Sequence, residues 1–140
     1  MALSIQVEQL GGVPSIAVVE LGGELDASNF ERAIEAIAGA YAAGARALVL
    51  DLSGLSFMAS SGLFAMHSAV RIMRGEAPPD PESGWGALHD VAGDDDSTGG
   101  RVRLCAVPEP VARVLERTRM TDLFRIDASR SDAVAALRGA

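Results

Sequence analysis

The 140-residue chain contains no lysine; every one of its 12 Lys/Arg-class side chains is an arginine. Any mechanism that requires a lysine is therefore excluded. There is one cysteine, Cys105, inside the apolar run Val102-Arg103-Leu104-Cys105-Ala106-Val107. No disulfide framework is possible within one chain, and the thiol is expected to behave as a small buried hydrophobe in a reducing, cytosolic setting. Met1 to Gln9 lacks the basic start and apolar core of a signal peptide, and the apolar stretch Tyr41 to Leu50 is broken by Gly44 and Arg46. Neither export nor a membrane span is expected.

The formal charge of −7 is unevenly placed. Glu76, Asp80, Glu82, Asp90, Asp94, Asp95 and Asp96 fall between Gly75 and Arg101 with no arginine among them, and they account for the whole imbalance. What remains is charge-balanced, so the chain has no basic field of the kind a phosphate backbone requires, and nucleic acid is not an expected partner. At this length a domain buries roughly 68% of the surface its unfolded chain exposes, enough for a core without staples. The expectation is a single domain over residues 1–140, interrupted by a flexible acidic insert at 76–100 that carries Pro78-Pro79, Pro81 and Asp94-Asp95-Asp96.

Leu3 to Leu10 alternates apolar and polar residues, and Ile16 to Leu21 is more uniformly apolar, with Gly11-Gly12 between them. This predicts a hairpin or a close strand pair. Ser28-Asn29-Phe30-Glu31 reads as a Ser-x-x-Glu capping box ahead of a helix that carries Phe30, Ile34, Ile37 and Tyr41 and ends at Gly44. Ala47 to Leu52 predicts a strand covered on both faces. A short loop then leads into a helix with Leu63, Met66, Val70 and Met73 on one face, ending at Gly75. Arg101 to Val107 predicts a strand, Pro110 to Thr118 a helix with proline in its first turn, Leu123 to Ile126 a short strand, and Ser131 to Leu137 a terminal helix. Alternating strands and helices after an initial strand pair imply an α/β fold, a mixed sheet with helices packed mainly on one side.

Leu48 to Met66 holds the densest signal, because a buried strand leads into a helix opening on Ser60-Ser61. With Gly23-Glu24-Leu25-Asp26 after the second strand and the segments Leu104 to Val107 and Leu123 to Ile126, it resembles the STAS domain of anti-sigma factor antagonists. The resemblance covers nearly the whole chain apart from the insert. It implies that Ala59-Ser60-Ser61-Gly62 matches an Asp-Ser-Ser-Gly or Asp-Ser-Thr-Gly tetrad whose first serine is phosphorylated, here Ser60, with Ser61 the alternative. Where the family has an acid, this chain has Ala59.

The resemblance further implies a non-enzymatic antagonist that binds a kinase-type anti-sigma factor of the histidine-kinase-like ATPase fold when unphosphorylated. Phosphorylation would release it, and a metal-dependent serine phosphatase would reset it. STAS domains also serve as accessory subunits of lipid-transport ATP-binding cassette complexes and as scaffolds in signalling assemblies. The expected partner surface comprises Asp26, Ala59, Ser60, Ser61, Gly62 and Phe64.

The residues themselves also allow plainer roles. Ser60 or Ser61 would cap the helix, a contact worth about 1 kcal/mol. Asp26 would serve as an N-terminal helix cap or form an Asx turn just ahead of Ser28. Phe64 would either be exposed beside Ser60 or pack under the insert. Asp51 lacks the lysine a receiver domain needs, and Ser60 and Ser61 lack the glycine spacing of a nucleophile elbow. His67 is expected at or near the surface. His89 and the aspartate run lack the spacing of a calcium loop, so no metal or cofactor is expected.

Overall fold

The computed structural model describes residues 3–76, 101–119 and 124–139. The alternating segment forms β1 (Ser4–Gly11), which pairs antiparallel with β2 (Ile16–Leu25). Gly11 and Gly12 turn the chain between them at φ 66° and 83°, a region glycine enters without steric cost. β2 runs beyond the expected Leu21 to include the Gly-Glu-Leu of the sequence motif.

Helix α1 (Phe30–Ala42) is where the periodicity places it, but the capping box does not form. The Asp26 carboxylate accepts from the Ser28 amide at 2.9 Å and its hydroxyl at 2.6 Å, so Ser28 is already engaged. Asn29 takes the N-cap position instead, and its side chain points backward, accepting from Asp26 N (2.9 Å) and donating to Glu24 O (2.8 Å).

β3 (Ala47–Met58) is twice as long as the apolar run suggests and replaces the expected loop. Its second half keeps pairing with β2 because two glycines face each other across the seam. A Cβ on Gly54 would stand 3.2 Å from Gly22 Cα, and the ladder shifts register on either side of this point. Only a bare backbone permits so close an approach.

Helix α2 (Ser60–Met73) buries the expected face of Leu63, Met66, Val70 and Met73, but it is not one-sided. Phe64, Ala65, His67, Ser68, Ala69 and Ile72 are buried too. His67, expected near the surface, is fully enclosed beside Phe64, with ring centroids 6.5 Å apart. Gly75, at φ 83°, ends the element. Of the acidic insert only Glu76 lies within the described residues, where it pairs with Arg71 (3.5 Å) and Arg74 (3.0 Å). The expectations for Trp85, His89 and the aspartate run lie outside them.

The chain continues as β4 (Val102–Cys105), α3 (Glu109–Arg117), β5 (Arg125–Asp127) and α4 (Arg130–Leu137). Pro108 precedes α3, whose first turn holds Pro110, and Ser129 caps α4 by accepting from Asp132 N at 3.2 Å. Leu123 of the expected short strand lies outside the described residues.

The five strands lie in sequence order, β1 antiparallel and the rest parallel. On one face Ala17, Val19, Leu21, Leu48, Leu50 and Leu52 meet α1, α2 and α3 through residues such as Ile37, Met66 and Leu115. The other face is smaller: Ile16, Val18, Ala47, Val49 and Cys105 pack on Ala133, Val134 and Leu137 of α4. The helices therefore sit mainly on one side, as expected, with α4 the exception. Burial pushes the Cys105 thiol up to about 11, so it is an inert core group.

Candidate functional site

The C-terminal ends of β2 and β3 create one surface. Leu25 pairs with Met58 in the parallel ladder, and Leu25 O accepts the Ala59 amide at 2.9 Å. The next residue on one chain segment is Asp26 and on the other Ser60. Open parallel sheets commonly place their working residues at this edge.

Ala59 holds the N-cap position of α2 with φ −83° and ψ 172°, and no side chain caps the helix. The first internal bond is Gly62 N to Ala59 O, 2.9 Å. Neither serine is the cap, contrary to one expectation, because helical geometry already begins at Ser60, one residue too early for its side chain to cap the first turn. The missing acid of the tetrad is thus the missing cap of the helix: an Asp at this position would accept from the orphan amides and favour the positive end of the helix dipole.

The two serines are in different surroundings. Ser60 is exposed, whereas Ser61 Oγ is buried with no hydrogen-bond partner among the described residues. Gly62 is fixed by packing. A Cβ there would overlap Met58 Cγ and stand 3.0 Å from both Leu25 Cδ2 and Met58 Sδ, so any side chain at that position would have to displace Met58 from its packing between helix and strand.

Asp26 is partly exposed, and the Ser28 hydroxyl and amide hold its carboxyl below the usual carboxylate range. It forms the Asx turn with Ser28, at the end of β2 beside the N-terminus of α2. Phe64 does not belong to the surface. It is 2% exposed and packs edge-on against Phe30 with centroids 5.8 Å apart. The exposed aromatic is Phe57, at 47%, three residues before Ser60 near the end of β3. Beyond Leu52 the strand alternates between exposed residues and the buried Leu55 and Met58, and Phe57 falls on an exposed position.

A second polar cluster occupies the α4 face. Arg130 Nη2 donates to Glu20 Oε2 at 2.7 Å and to Asp51 Oδ2 at 3.0 Å, with Glu8 3.6 Å from Nη1. Burial pushes the Asp51 carboxyl up, but hydrogen bonds from Ser53 and Arg130 outweigh it and hold the group below the usual range. This network ties the start of α4 to the sheet and accounts for Asp51 without any phosphoryl chemistry.

With this geometry in view, residues 4–76 match the family model described as STAS domain. The chain belongs to the STAS domain family. The structure resembles an anti-sigma factor antagonist from Mycobacterium paratuberculosis at TM-score 0.69 and 23% identity, covering 98% of this chain and 95% of that one. It also resembles the anti-sigma factor antagonist SpoIIAA in its unphosphorylated form (TM-score 0.69, 20% identity, 98% of both chains). The phosphorylated form of the Bacillus cell fate determinant SpoIIAA aligns at TM-score 0.61 and 20% identity, over 96% of this chain and 100% of that one. At these identities the likeness concerns the fold. No curated protein matches in sequence. Among the described residues, no helix of this STAS domain is long and apolar enough to cross a membrane, and no group of three His, Cys, Asp or Glu side chains is placed to hold a metal ion.

Proposed function

We propose that this STAS domain is an anti-sigma factor antagonist whose docking surface is the shared edge of β2 and β3 and whose switch is Ser60. Unphosphorylated, it binds a kinase-type anti-sigma factor of the histidine-kinase-like ATPase fold in the cytosol and so frees a sigma factor. Phosphorylation releases it, and a metal-dependent serine phosphatase resets it. In this cycle the chain is substrate and ligand rather than enzyme.

The observation that supports this reading most is the contrast between an exposed Ser60, free of any capping role, and a neighbouring Ser61 whose hydroxyl is buried. A kinase can reach only the first without opening the helix. A phosphate on Ser60 adds about −1.5 to −2 charges beside the uncapped amides of α2, which tolerate an anion. The fold is retained, while a partner docked over Phe57 and Ser60 would have to desolvate a dianion, a costly step without a pairing arginine.

Ala59 favours a second reading, in which the same edge docks a partner constitutively, as in transporter accessory subunits or signalling scaffolds. Phosphopeptide mapping separates the two. Protein incubated with ATP in a lysate of its source organism is expected to carry phosphate on Ser60; phosphate on Ser61, or none, would overturn the switch.

A further inference from the structure

At the opposite end of the parallel strands, where β2, β3 and β4 begin, a cleft of about 290 Å³ is lined by Pro14, Arg46, Ala47, Arg101 and Leu137. Arg46 lies over the Tyr41 ring, 4.0 Å from its centroid, and its Nη1 donates to the carbonyls of Tyr41 (3.0 Å) and Ala45 (2.8 Å). Arg101 donates through Nη1 to Met73 O at 3.2 Å. Tyr41 and Met73 belong to the last turns of α1 and α2, so each guanidinium is held in place by the end of a helix.

A guanidinium offers five N–H donors in a rigid fork. In both arginines Nε and Nη2 make no hydrogen bond or ion pair among the described residues, and neither side chain meets a carboxylate there. Elsewhere Arg71, Arg74, Arg103, Arg113 and Arg130 are all neutralised by acids. Arg138, which follows Leu137, adds a third cation near this end; it lies against Gly12 and donates to Gly11 O at 3.3 Å. Among the described residues, none of these three cations pairs with a carboxylate. Helix capping by Nη1 explains the position of each side chain and leaves its remaining donors available, and Pro14, Ala47 and Leu137 give the cleft an apolar wall.

We propose that this cleft binds a small organic anion, a phosphate or carboxylate group on an apolar stem. The anion is bound by the guanidinium groups of Arg46 and Arg101, which both line the cleft and whose planar forks are chemically suited to oxyanions. The stem lies against Pro14, Ala47 and Leu137. The site is separated from Ser60 by the length of β3, roughly 35 Å of strand, so it is independent of the switch.

Amide chemical shifts of the full chain, followed during titration with phenyl phosphate, benzoate and inorganic phosphate, test the proposal. Saturable shifts are expected at Arg46, Ala47 and Val102, with the tighter of the two aromatic probes naming the anion and inorganic phosphate binding more weakly for want of a stem. Arg101→Gln is expected to weaken binding about tenfold or more, and Arg101→Lys less. Arg46→Gln supplies an independent variant with the same expectation, and the wild-type shift map stands even if one variant fails to fold. Shifts that do not saturate, that centre elsewhere, or that are unchanged in both Gln variants would overturn the site.

Discussion

The carbonyl of Leu25 accepts the amide of Ala59 at 2.9 Å, joining the end of β2 to the cap of α2. Through this bond, two motifs more than thirty residues apart in sequence, Gly23 to Asp26 and Ala59 to Gly62, form one edge.

Because Ala59 is the N-cap and supplies no acceptor, Ala59→Asp should stabilise the protein by about 1 kcal/mol. Ser60→Ala should change stability by less than about 0.5 kcal/mol, since Ser60 caps nothing. Urea unfolding midpoints of the two variants check both; a large loss in Ser60→Ala would return Ser60 to a capping role.

Gly62→Ala should destabilise by about 1 to 3 kcal/mol, the usual cost of overpacking, because the added methyl overlaps the buried side chains of Met58 and Leu25 and forces them to shift. Calorimetric unfolding measures it. A neutral result would mean that α2 shifts freely against the strand ends.

The two phenylalanines near the switch should separate cleanly. Phe64→Ala should cost about 3 to 5 kcal/mol of stability. Phe57→Ala should leave the unfolding midpoint nearly unchanged but weaken partner binding by about tenfold or more. Equal effects on stability would contradict the placement of Phe57 in solvent.

The Asp51–Arg130 pair predicts a pH dependence. The folded Asp51 carboxyl sits below its usual value of 3.8, so its contribution is fully present above about pH 4 and lost as the pH falls through the folded value. Arg130→Gln should cost about 1 kcal/mol at pH 7, a figure kept low because the arginine is partly exposed. The gap between wild type and variant should narrow below about pH 4. A gap that stays constant down to pH 3 would show that the ion pair is not its source.

The strand and helix order was legible because apolar periodicity and the glycines at turns are local signals. The length of β3 was not, since it depends on Gly22 and Gly54 facing each other across a parallel seam. Ser28 and Glu31 had the capping spacing, yet Asp26 engaged Ser28 first, a competition between two local motifs that spacing alone does not rank. Arg130 and Asp51 lie 79 residues apart, and no local pattern pairs them. The serine junction was visible as a motif, whereas the identity of its exposed aromatic required the path of β3.

The most direct test compares wild type with Ser60→Asp as baits in a lysate of the source organism, with captured proteins identified by mass spectrometry and unfolding midpoints measured alongside. The account predicts that wild type captures a kinase-type ATPase that Ser60→Asp loses, with both proteins equally stable. Unchanged capture by Ser60→Asp, or retention of transporter ATPase subunits by both, would contradict it.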